Sequence, residues 1–146
     1  MHIATRQVAD TVIAKPAGRI DHQSAQQFET ALMPVVAETC TRRGALVLDL
    51  SAVDYISSVG LRVLMVAAKK MRECDAQLRV AALNGIVAEI FAISRFDRIL
   101  TVTATLDDAL ALGSPEALAQ YRSTNSTPAA WCACGSGGRG ARCRWR

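Results

Sequence analysis

Residues 45–50, Ala-Leu-Val-Leu-Asp-Leu, form an apolar run broken by one acid, too short for a helix and too continuous for a half-exposed strand. Such a run reads as a central strand covered on both faces, and it therefore demands helices to cover it. The next helical pattern supplies one. From Ser58 onward Leu61, Leu64, Met65, Ala68 and Met71 recur at helical spacing, with Lys69, Lys70, Arg72 and Glu73 on the other face or in the last turn.

The remaining chain repeats this alternation. Val8 and Val12–Ala14 suggest a first strand, ended by Lys15-Pro16-Ala17-Gly18. Ser24 can cap a helix carrying Phe28, Leu32, Val35 and Val36, which Pro34 is expected to kink or shorten and Arg42-Arg43-Gly44 to end. Residues 51–56 read as a short loop. Residues 77–83 read as a strand, 86–93 as a helix and 99–104 as a short strand; Thr105 then caps a last helix with Asp107 and Asp108 in its first turn. The expected fold class is α/β: a single domain with a mixed sheet of four to five strands and helices packed mainly on one face. Aromatic residues make up only 5% of the chain, so the core is expected to be aliphatic.

The domain is expected to occupy residues 1–120, and residues 121–146 to form a disordered tail rich in Gly, Arg and Cys. The net charge of +4 belongs to that tail, because residues 1–120 hold 12 basic and 13 acidic side chains. A nearly neutral body gives no electrostatic reason to expect nucleic acid. No apolar run is long enough to span a membrane and no secretory leader is evident, so a cytoplasmic location is expected. Cys40 and Cys74, the only cysteines of the body, make no disulfide framework by count. Cys132, Cys134 and Cys143 are three sulfurs without a nearby histidine, an incomplete zinc set, and read as inert residues or an artefact of the reading frame. No metal and no cofactor is expected, and no Gly-rich phosphate loop is present.

The chemistry concentrates at the strand-to-helix junction. A serine opening a helix sets its hydroxyl beside backbone N–H groups that lack intrahelical partners. A phosphate added there would be held by those groups and would bring about −1.5 to −2 charges to the surface. By spacing alone Ser57 and Ser58 read first as ordinary helix caps. Gly60 would allow close approach of another backbone to the first turn. Asp49 is expected to accept backbone N–H groups at the strand end, and Asp54 to form a turn. A Ser58–His22–Asp triad would make a hydrolase, but no Gly-x-Ser-x-Gly elbow accompanies it.

Leu48-Asp49-Leu50-Ser51 followed by Tyr55-Ile56-Ser57-Ser58-Val59-Gly60-Leu61-Arg62 resembles the signature of the STAS-domain anti-sigma-factor antagonists. Gly18-Arg19-Ile20-Asp21 with Ser24-Ala25 resembles that family's earlier turn, and residues 91–100 its third helix and last strand. The resemblance spans roughly residues 3–118, in order. It implies a partner switch. The unphosphorylated protein binds an anti-sigma factor that is also a serine kinase, a sigma factor is released, and a PP2C-type serine phosphatase reverses the phosphorylation. Matched from the glycine, Ser58 falls on the phosphorylated position, with Ser57 in place of the usual acid as the fallback acceptor. Asp21 matches an acid near the partner surface and is equally readable as a turn residue. Asp21, Ser57, Ser58, Val59, Gly60, Leu61 and Arg62 are the expected partner contacts, with Val59 and Leu61 supplying apolar area. The same domain also serves as an interaction subunit of transport or stress-signalling assemblies, which is the alternative the resemblance leaves.

Overall fold

In the computed structural model, residues 2–125 are described. The run that fixes the fold is β4 (Ala45–Asp49), buried at every position. It lies third in a five-stranded sheet that also holds β1 (Ile3–Val8), β2 (Thr11–Pro16), β6 (Gln77–Ala81) and β7 (Thr101–Thr103), in the order β1-β2-β4-β6-β7. β1 and β2 are antiparallel and the other pairings parallel, so the sheet is mixed.

Alternation along the strands makes two cores. Val12, Ala14, Leu46, Leu48, Leu78 and Val80 point to one face, under α1 (Ala25–Arg42), α2 (Ser58–Glu73) and α3 (Gly85–Ile93). Ile13, Val47 and Ala81 point to the other, under α4 (Leu106–Gly113) and α5 (Pro115–Asn125). The expected α/β class therefore holds, with the two longest helices, α1 and α2, and the larger core on one side. Among the described residues no helix is long and apolar enough to cross a membrane.

Several local expectations are corrected. The first strand is a hairpin, turning at Ala9 with φ 53°. Residues 53–56 are not loop but β5 (Val53–Ile56), which pairs in parallel with β3 (Gly18–Ile20) as a separate two-stranded ribbon. Asp54 is thus an exposed strand residue rather than a turn former. Pro34 does not shorten α1, which continues for 18 residues. The amide that proline lacks would have met the Thr30 carbonyl, and both residues are exposed, so the missing bond falls on the solvent-facing side of the helix. Arg43, not a glycine, adopts the left-handed conformation that ends α1. Gly44 is required for another reason: a Cβ there would lie 2.2 Å from the Asp10 carbonyl oxygen.

The boundary expected at residue 120 falls inside α5. Ala117 and Tyr121 are buried in the second core, the Ala9 N–H donates to Gln120 Oε1 at 2.7 Å, and the Arg6 guanidinium lies 5.2 Å from the Tyr121 ring centroid. The readings placed on residues 126–146, including the disordered tail and its three cysteines, lie outside the described residues.

Cys40 and Cys74 are joined as a disulfide, contrary to the count-based reading. Sequence separation hid the pairing. α1 and α2 pack side by side on one face, so the last turn of one and the C-cap of the other come together.

Candidate functional site

β5 delivers the chain to α2 with an abrupt change of conformation. Ser57 is extended (φ −85°, ψ 169°) and its Oγ accepts the Gly60 N–H at 3.3 Å, while its carbonyl accepts the Leu61 N–H at 2.9 Å. Ser57 is therefore the N-cap, and its hydroxyl is engaged in that role. Ser58 is the first helical residue and is exposed. Among the described residues its hydroxyl has no hydrogen-bond partner. The two serines, alike in sequence, are thus divided: one closes the helix end and the other stands in solvent beside it.

The Asp21 turn is held against this junction. The Ser57 N–H donates to the Ile20 carbonyl at 2.7 Å, continuing the β3–β5 ribbon in which Ile20 pairs with Ile56. Asp21 Oδ1 accepts the N–H groups of Gln23 (3.0 Å) and Ser24 (2.9 Å). The Ser24 hydroxyl donates to the Arg19 carbonyl at 2.7 Å and accepts the Asp21 N–H at 2.9 Å. Ser24 therefore knits the turn and makes no side-chain cap on α1, as had been expected of it. The backbone N–H of Ser24, then its hydroxyl, hold the Asp21 carboxyl below the usual carboxylate range. The turn-forming role of Asp21 is real, and the turn follows directly on Ile20, whose carbonyl is hydrogen-bonded to Ser57.

Of the other expected contacts, Val59 is half-buried and Arg62 exposed. Gly60 and Leu61 are buried, Leu61 with only 6% of its surface exposed, so neither presents a side chain outward. The reason is helical phase: Leu61, Leu64 and Ala68 share the core-facing stripe. Gly60 does permit a close approach, but by side chains of its own chain. A Cβ there would lie 2.6 Å from Ile20 Cγ2 and 2.8 Å from Ile56 Cγ1.

The apolar group that α2 does expose is Met65, at 44%. Ser58, Arg62, Met65 and Lys69 follow one another at spacings of four, three and four along the outer face. Sequence reasoning put Met65 in the core stripe, because its position fits both phases. It also missed Arg19 and Tyr55, cross-strand partners in the β3–β5 ribbon whose guanidinium and ring stack at 5.0 Å.

Asp49 behaves as expected, its Oδ1 accepting the Ser51 N–H at 2.9 Å, with Lys15 Nζ 3.8 Å from Oδ2. His22 is exposed in the turn, and no hydrogen bond among the described residues joins it to Ser58. The arrangement can offer a solvated hydroxyl on a shaped surface, ready to be modified from outside.

The STAS domain family matches residues 2–109 of this chain. BtrV of Bordetella bronchiseptica, whose name describes an anti-sigma factor antagonist, is 34% identical over 111 residues, covering 76% of this chain and 93% of that protein. The anti-sigma-F factor antagonist RsfB of Mycobacterium tuberculosis is 34% identical over 93 residues, 64% of this chain and 73% of RsfB. An anti-sigma factor antagonist of known structure from Mycobacterium paratuberculosis superposes with a TM-score of 0.68 at 28% identity, covering 77% of this chain and 92% of that one.

Proposed function

The chain belongs to the STAS-domain family of anti-sigma factor antagonists, and we propose that it acts there as a switch thrown by phosphorylation of Ser58. In the unmodified state it binds an anti-sigma factor that is also a serine kinase, and a sigma factor is set free. The contact surface consists of the Asp21 turn, Ser57, Ser58, Val59 and Arg62, with Met65 as its apolar anchor. The chain works by binding, in the cytoplasm, and takes the phosphate from its partner's ATP.

The observation that carries this reading is the unengaged, exposed Ser58 hydroxyl at the positive end of α2. In the phosphoryl transfer the Ser58 oxygen attacks the γ-phosphorus, its proton passes to a base of the kinase, and ADP leaves. The product is a dianionic group held over the first-turn N–H groups, with Arg62 one turn further along the same face and within reach. Charge and bulk then occupy the centre of the contact, and the complex separates. A PP2C-type serine phosphatase restores the hydroxyl.

The test uses the preformed complex of the cognate anti-sigma factor with its sigma factor. Adding the unmodified chain should move the sigma factor to the free fraction on gel filtration, at stoichiometric amounts. A sigma factor that stays bound at tenfold excess of the chain would remove the antagonist reading.

A further inference from the structure

We propose that Cys40 and Cys74 form a redox-reversible latch between α1 and α2, a covalent modification site separate from the serine surface. Their Cα atoms lie 5.6 Å apart, within the span a disulfide bridges without moving the backbone. Both residues are part-exposed at the edge of the larger core, so a small thiol reagent can reach them.

The reduced pair is accommodated as well. The Cys74 sulfur lies 3.2 Å from the Lys70 carbonyl oxygen and 3.3 Å from that of Met71, and the Cys40 sulfur 3.7 Å from the Lys70 carbonyl oxygen. Two thiols formed there find weak acceptors in the last turn of α2 instead of being stranded. The site therefore holds acceptors beside both sulfurs as well as the spacing a disulfide needs.

The oxidant is a low-molecular-weight disulfide. One cysteine thiolate attacks it, forms a mixed disulfide and expels one small thiol. The second cysteine displaces the other small thiol and closes the Cys40–Cys74 bond. Two protons and two electrons leave the protein, and two small thiols carry them. A dithiol reverses both steps.

The bridged residues are 34 apart in sequence, and the closed loop contains β4, β5 and α2. Closing it removes freedom from the unfolded chain, so oxidation should stabilise the whole domain. It should not disturb the switch. Cys74 caps the far end of α2, about 24 Å along the helix from Ser58. This inference does not depend on the antagonist reading.

The full chain is incubated with oxidised glutathione or with dithiothreitol, trapped by alkylation and digested with trypsin. After oxidation, the peptides 20–42 and 73–79 should appear linked, and dithiothreitol should release them. Thermal melts should show the oxidised chain more stable by about 10 °C, an unfolding constant lowered on the order of 100-fold. Cys40→Ser and Cys74→Ser should each abolish this redox dependence, and the triple variant Cys132→Ser, Cys134→Ser, Cys143→Ser should retain it. Alkylation of both Cys40 and Cys74 after oxidation, pairing of either with a tail cysteine, or equal melting in the two states would overturn the latch.

Discussion

Ser58→Asp is expected to weaken binding to the anti-sigma factor by about 100-fold, while Ser58→Ala binds within about threefold of the unaltered chain. The asymmetry follows from where the side chain stands. Ser58 is exposed and unengaged, so removing its hydroxyl breaks no internal bond and leaves no buried group unsatisfied. A carboxylate at the same position must be desolvated when a partner closes over it, a cost of about 3 kcal/mol when no counter-charge is built to receive it. The fold is not the cause, because a negative charge in the first turn favours the helix dipole. Ser58→Asp should therefore melt at or above the temperature of the unaltered chain. Titration calorimetry and thermal melts of the three proteins check both statements together. Equal affinities would mean that charge at this position does not govern the contact.

The second large effect concerns a buried residue, Gly60. Gly60→Val is expected to destabilise the domain by about 3 kcal/mol, read as a lower denaturant midpoint with unchanged slope. The first added carbon would already stand 2.6 Å from Ile20 and 2.8 Å from Ile56, both essentially fully buried. A β-branched side chain adds two more carbons to the same space. To admit it, α2 must lift from the β3–β5 ribbon, and that movement strains the Ser57 N–H to Ile20 carbonyl bond that holds the Asp21 turn against the serines. Gly60→Val should thus also lose partner affinity, whereas Gly60→Ala, with one carbon, should show the same defects to a smaller degree. A valine variant as stable as the original would mean that this packing does not position the site.

The parts of this architecture that were legible in the sequence are those where burial is unambiguous. β4 is apolar at four of its five positions, and α2 carries a full stripe at helical spacing, so both elements and the serines at the start of α2 could be read directly. β5 could not, because a four-residue strand with an exposed Asp54 shows neither a run nor a clean alternation. β1 was hidden similarly: as an edge strand it buries only Val8. The second core was invisible because Ile13, Val47 and Ala81 stand directly beside apolar residues of the first core in the same strands, and nothing in their spacing says which helices cover the far face.

At the site itself, residue type was legible and direction was not. Leu61 and Met65 are both apolar residues of one helix, yet the first packs inward and the second is exposed. Only the phase of α2 against the sheet decides between them. Ser24 looked like a helix cap because it precedes an amphipathic run, but its hydroxyl turns back to Arg19 and builds the Asp21 turn. The division of labour between Ser57 and Ser58 likewise required the ψ of 169° at Ser57, which turns that side chain toward the Gly60 N–H and leaves its neighbour outside.

The claim that one exposed hydroxyl at the start of α2 carries the switch is tested most directly by finding the phosphate. The chain is incubated with its cognate anti-sigma kinase and ATP, and the tryptic peptide 44–62 is fragmented in the mass spectrometer. A single phosphate on Ser58, retained in Ser57→Ala and absent from Ser58→Ala, is the predicted result. A phosphate on Ser57, or only on another residue, would contradict it.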